Sequence, residues 1–231
     1  MKKLPITKTQ AAIILGGVYI FLQMTADIAA TKVIVLGKIV MDAGIIYALT
    51  FTWRDLIHKQ LGKKCAQTCI ILAGVINVIM ALYFMLVVKL PPEASWSSSF
   101  WNITNVTIGS NLAERGGQAA WEFIFGIMPR IVIASIIAEV FSELIDTEVY
   151  QWWVDGIGKK RPQWMRVVVS NAISIPVDSL IFPIIAFYGI LSADVLFIMF
   201  LSNILIKAII TAISFWMIYL VPDKPIYASE E

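Results

Sequence analysis

Cysteine is nearly absent from this chain of 231 residues: Cys65 and Cys69, spaced i,i+4, are the whole supply. No CxxC and no Cys/His cluster supports a metal site, and the pair reads as small apolar helix residues ahead of a palmitoylation or redox role. His58 is the single histidine and falls in a basic segment, which argues against Ser-His chemistry within a membrane. There is no GxxxxGK[ST] loop for ATP hydrolysis and no GxGD pattern for an aspartyl intramembrane protease. Charge is scarce too. Only 15% of residues are charged, against about 25% in ordinary globular chains, and 59% are hydrophobic, with a mean hydropathy of +0.80. That balance excludes a soluble domain. A net charge of +2 with no basic stripe gives no support to nucleic-acid binding. The ten-residue alternation of an outer-membrane barrel is missing.

What is present is a series of apolar runs, each approaching the roughly 20 residues that a spanning helix needs. Backbone groups in lipid must be satisfied within the element, so helices follow. The expected fold class is an all-α polytopic membrane protein of a single membrane domain over residues 1–231, with six transmembrane helices. The spans are expected at about 11–30, 33–53, 65–88, 121–141, 165–190 and 194–221, with helix continuing from the fourth span toward Trp153 and a polar outer loop over 89–120. The first apolar run continues to Ala30 with no small-residue cleavage site after a short core, so it reads as a retained span and not a signal peptide. With both termini on one side, that side collects twelve Lys and Arg, Arg54 among them, against four on the other. The positive-inside rule then predicts cytoplasmic termini. The sequons at Asn102 and Asn105 fall on the outer loop.

Ionisable residues inside spans are candidates for function because lipid tolerates them poorly. Here they are Asp27, Asp42, Arg130, Glu139, Asp178 and Lys207. In "SNAISIPVDSLIF", Asn171, Ser174 and Asp178 fall at i, i+3 and i+7, one face of a helix; Asn203, Lys207 and Thr211 do likewise in the last span. Both stripes are expected to look into one cavity. The alternative for each is structural pairing: Arg130 with Asp178, or Lys207 with Glu139 or Asp27, pairs whose net stabilisation desolvation would largely offset. Pro176 and Pro183 free backbone carbonyls, as in the broken helices that line transporter cavities, or they only kink the span. Most tryptophans fall near span ends, where an interfacial belt explains them; Phe182, Phe187 and Tyr188 lie deeper, where lipid-facing packing is the leading reading for each and stacking on a planar ligand the alternative.

Several stretches resemble the queuosine-precursor transporter family, also known as vitamin uptake transporters. They are "ADIAATKVIVLG", "DAGIIYALTFTWRDLIHKQLGKK", "RIVIASIIAEVFSELIDTEVYQ", "RVVVSNAISIPVDSLIFPIIAFYG" and "LIKAIITAISFWMIYLVP", most of the chain except the third span and the outer loop. The resemblance implies a six-helix inner-membrane carrier for 7-deazaguanine bases: 7-cyano-7-deazaguanine, 7-aminomethyl-7-deazaguanine or queuine. It carries Arg130, Ser135, Glu143, Asp146, Ser174, Asp178, Phe182 and Lys207 over as distinctive positions. Arg54, Lys59 and Leu61 depart from the family pattern after the second span. Asp27 stands where the family tends to have Asn, and Asp42 and Ala48 stand where it often has Pro, which marks a divergent member.

A guanine-type edge presents two donors, an N–H and an amino group, and a carboxylate accepts both; Asp178 or Glu139 suits that task. Arg130 or Asn171 would donate to the ring's acceptors, and an aromatic face would cover it. The leading expectation is therefore a small-molecule importer embedded in the lipid bilayer, without a cofactor and without nucleic acid, with a homo-oligomer compatible with the sequence. The alternative is a substrate-binding subunit of an energy-coupling-factor type importer. An intramembrane enzyme and a purely structural assembly protein lack supporting motifs.

Overall fold

Long apolar runs with few breakers leave the backbone no better partner than itself, and the chain folds accordingly. The computed structural model describes residues 3–92, 116–156, 162, 164–220 and 226–228; the two sequons lie outside them. Helix α1 (Lys8–Ala29) opens with a capping box: the Thr7 hydroxyl accepts the Gln10 N–H at 3.1 Å, and the Gln10 side chain accepts the Thr7 N–H at 3.0 Å. Helices α2 (Ala48–Leu61) and α3 (Lys63–Lys89) meet at Gly62, whose φ of 93° makes the reversal that L-residues resist. Helices α4 (Gly116–Gly126) and α5 (Met128–Asp155) follow, broken at Ile127 where Pro129 starts the second piece. Helices α6 (Trp164–Phe187) and α7 (Ala193–Ser214) complete the bundle, and α7 tightens into a 3-10 segment, Phe215–Leu220.

Among the described residues five helices are long and apolar enough to cross a membrane: Lys8–Ala29, Lys63–Lys89, Gly117–Asp155, Val167–Phe187 and Ala193–Ser214. They coincide with five of the six expected spans. Burial is inverted relative to a water-soluble protein. Phe123 is 80% exposed and Ile13 68%, whereas Gln23, Arg54 and Glu139 are fully buried. An apolar outside and a polar inside are what a lipid solvent selects.

The segment 33–53 corrects the sequence reading, because it is not one continuous helix. Strands β2 (Val33–Leu36) and β3 (Ile39–Asp42) form an antiparallel hairpin in register from Val33↔Asp42 to Leu36↔Ile39. The run "VIVLGKIVM" is rich in β-branched residues, and Gly37, at φ 65°, takes the first central position of its two-residue turn. The hairpin is held to α7 by the Val40 N–H donating to the Ser202 hydroxyl at 3.3 Å. Gly44 then seats the chain against α1: a Cβ there would lie 2.9 Å from the Ala26 carbonyl oxygen. A 3-10 turn, Ile45–Tyr47, leads into α2.

Two further readings are sharpened. Pro176 and Pro183 do not break α6, which remains helical through both. The ends of the chain meet, because strand β1 (Lys3–Thr7) pairs in parallel with β4 (Ile226–Ala228). Two of the apolar clusters brace the helices that carry the buried charges. Leu15 and Tyr19 of α1 meet Leu56 and Ile57 of α2 over Ala66, Ile70 and Ala73 of α3. Ile131, Ala134 and Ala138 of α5 meet Phe182 and Ala186 of α6 and Met199 of α7. The alanines on α3 and α5 let backbones approach closely where lipid offers no hydrophobic drive to association.

Candidate functional site

On α5 the residues Glu139, Ser142, Glu143 and Asp146 recur at three- and four-residue steps and therefore share a face. That face points inward, toward α1, α2 and α6. Arg54 of α2 meets it as the organising cation. Its Nη2 donates to Asp146 and lies 3.4 Å from Asp55, its Nη1 lies 3.3 Å from Glu143, and the Phe51 carbonyl accepts from Nη2 at 3.2 Å. Ser174 donates to the other Asp146 oxygen at 2.7 Å, and the Thr50 hydroxyl lies 3.2 Å from Glu143. The Tyr19 hydroxyl closes the cluster between Glu143 and Glu139, 3.2 Å from the latter, while Gln23 donates to it at 3.1 Å. Three carboxylates surround one guanidinium and every one is buried, while the guanidinium's Nε and Nη1 make no hydrogen bond.

Beside it lies a cavity. Lys207 of α7 donates to Asp178 of α6, and the Tyr47 hydroxyl donates to the same carboxylate at 3.0 Å. The Lys207 ammonium also sits 4.9 Å above the Tyr47 ring, a cation–π contact. Asp27, Asp42, Ser135 and Phe182 line the remaining wall. Asp27 accepts from Asn77 at 2.7 Å, and Asp42 accepts the Gly44 N–H at 3.0 Å. The free space is about 30 Å³, room for a water molecule or two and about a tenth of the roughly 300 Å³ at which small-molecule pockets begin. With Lys207 and Tyr47 both bonded to it, the Asp178 carboxylate is engaged on the cavity side.

The structure thus brings together Asp178, Lys207, Phe182, Ser135, Asp27 and Asp42 at one cavity, and Glu139, Glu143, Asp146 and Ser174 at the adjoining cluster. It does not bring Arg130 to either. The Arg130 guanidinium donates to the carbonyls of Ile185, at 2.9 Å, and Tyr188, satisfying the open end of α6. Asn171 is also elsewhere: it faces a groove of about 290 Å³ between α6 and α7, with Thr211, and neither amide atom has a partner. The expected common face of Asn171, Ser174 and Asp178 is divided, Ser174 reaching α5 and Asp178 reaching α7.

Sequence reasoning missed Tyr47, Tyr19 and Arg54. Arg54 was assigned to a loop and is fully buried on a helix. His58 is likewise on α2, 5% exposed, with Nε2 2.9 Å from Gln151 and its ring centroid 4.5 Å from that of Tyr150. A signal for Arg54 was available: a helix face carrying two glutamates and an aspartate needs a buried cation from a neighbour.

A family profile described as "Putative vitamin uptake transporter" matches residues 42–221. The chain belongs to that family. A relative from Bacillus subtilis (strain 168), named "Probable queuosine precursor transporter", is 29% identical over 195 residues, which cover 84% of this chain and 77% of the relative. No solved structure matches. For this vitamin uptake transporter family member, the matched region starts at Asp42 and takes in Tyr47, Arg54, the α5 acidic face, Asp178 and Lys207. The family resemblance in the sequence is borne out, and the molecule is a multi-pass membrane protein of a transporter family.

Proposed function

We propose that this protein imports a queuosine precursor, one of the 7-deazaguanine bases, and binds it in the cavity between Asp178, Lys207, Tyr47 and Phe182. The observation that carries the reading is the buried Asp178 carboxylate on a cavity wall, held by two partners that can both be exchanged. A guanine-type edge supplies two donors in place of Lys207 and Tyr47. The freed ammonium then donates to the base's carbonyl oxygen, and Tyr47 and Phe182 offer ring faces to the heterocycle. The relative's name supports the substrate class.

Six crossings accord with this function. Five helices alone would leave the chain ends on opposite sides, yet β1 and β4 pair. The hairpin and α2 together then act as the second crossing, and the whole chain works as one membrane unit. Lys and Arg still favour the terminal side by eleven to four without Arg54, which supports cytoplasmic termini in an inner membrane. Separation of the Asp178–Lys207 pair on one side and its re-formation on the other would give alternating access around this site.

Thermal unfolding of the detergent-purified protein, with a panel of purine and deazapurine bases, tests the substrate. A 7-deazaguanine base is expected to raise the midpoint with concentration. Stabilisation by unrelated vitamins and by no base would overturn the assignment. Uptake in a host without energising subunits distinguishes an autonomous importer from a binding subunit.

A further inference from the structure

The Tyr19 hydroxyl has one hydrogen to give and two lone pairs. Gln23 donates to it at 3.1 Å, so one lone pair is taken. Glu143 and Glu139 both place a carboxyl oxygen against it. Its single hydrogen serves one of them; the other must donate back, or two lone pairs oppose each other at buried atoms. Glu143 is the acceptor, since it also faces the Arg54 guanidinium, with Nη1 at 3.3 Å. Glu139 therefore carries a proton.

Its surroundings agree. Glu139 is fully buried and its Oε2 has no hydrogen-bond partner. The titratable groups acting on it include Tyr19 and Asp27 from α1, Tyr47 ahead of α2, Glu143 from its own helix and Asp178 from α6. The two nearby cations are already engaged, Arg54 of α2 by Asp55, Glu143 and Asp146, and Lys207 of α7 by Asp178. Among the described residues no cation is left to hold Glu139 as an anion, and an unpaired buried carboxylate takes up a proton instead.

We propose that Glu139 is the proton-binding site of this transporter and that the proton is its coupling ion, entering with each base. This rests on the base-import reading above. The proton comes from water on the outer side, forms the O–H bond of the Glu139 carboxyl, and leaves to water on the inner side as that bond breaks. No redox partner is involved. Ser142, Asp178 and Glu139 join the two halves of the mechanism: Ser142 lies 3.5 Å from Asp178 and 3.3 Å from the Glu139 carbonyl oxygen, so occupancy of Asp178 is felt on the helix that carries the proton.

The test uses wild-type protein in vesicles containing a pH-sensitive dye, with 7-cyano-7-deazaguanine added outside. Base uptake is expected to acidify the lumen, and an acidic exterior is expected to accelerate accumulation several-fold. Infrared spectroscopy of the same protein is expected to show a protonated-carboxyl band at neutral pH that Glu139→Gln removes. In Glu139→Gln any remaining uptake is expected to lose its dependence on external pH. If that variant takes up nothing, Glu139→Asp replaces it, with a displaced pH profile expected. Uptake without acidification, an unchanged infrared band in Glu139→Gln, or a Glu139→Asp profile identical to wild type each overturns the proposal and leaves base import standing. No uptake of any base, with the Glu139 band present, overturns the base reading and retains the protonated glutamate.

Discussion

Two buried ion-pair systems lie side by side in this protein, and their surroundings differ. Around Arg54, three carboxylates and a backbone carbonyl crowd one buried guanidinium, although its Nε and Nη1 make no hydrogen bond. Around Asp178, one ammonium and one phenol share a carboxylate beside free space, and the Lys207 side chain retains 11% exposure. A charge enclosed on all sides holds helices together. A charge with replaceable partners at a cavity edge can trade them for a ligand. The proposal of a ligand site at Asp178 rests on this contrast, although both systems look alike as charged residues in an apolar sequence.

The largest effect is expected from Arg54→Gln, which leaves Glu143, Asp146 and Asp55 without their cation. A stability loss of about 3–5 kcal/mol is typical when one partner of a buried pair is removed, and thermal unfolding in detergent reads it. Combining it with Asp146→Asn is expected to recover part of the loss. A stable, fully folded Arg54→Gln would break the comparison. Next come Asp178→Asn and Lys207→Gln, each expected to cost about 1–3 kcal/mol in the same assay and to weaken base binding roughly tenfold or more, since about 1.4 kcal/mol is a factor of ten. A double-mutant cycle is expected to return a coupling of about 0.5–3 kcal/mol. Losses as large as that of Arg54→Gln would erase the distinction between the two systems.

The smallest effect is expected from Asn171→Leu. Its amide is buried without partners, so an apolar replacement of similar shape is expected to be neutral or to stabilise by about 1 kcal/mol, with base-induced thermal shifts unchanged. A lost shift would return Asn171 to the binding site.

How much of this was legible in the residues depends on what each signal averages. Five spans were readable because length and hydropathy are properties of a whole run, and a few misplaced residues at either end do not alter them. The hairpin was not, because "VIVLGKIVM" is as apolar as a helix of the same length; its β-branched residues and central Gly-Lys were the distinguishing detail. The cavity residues Asp178 and Lys207 stood out as expensive choices in lipid. Their partners depend on helix rotation and on the neighbouring helix, which spacing within one helix does not define. That is why Asn171 and Ser174, three residues apart, turn to different neighbours, and why Arg130 serves a helix end. Arg54 was hidden by a rule that works on average: basic residues after a span belong to the cytoplasmic side, and here one of them has turned inward.

The pairing of β1 with β4 has a bearing on how the molecule is made. Lys3–Thr7 precedes every described helix in the chain, and Ile226–Ala228 follows all of them. The first strand therefore cannot pair until every helix between the two has been synthesised. Its closure is the contact of longest sequence separation among the described strands, made only after the helices it brackets.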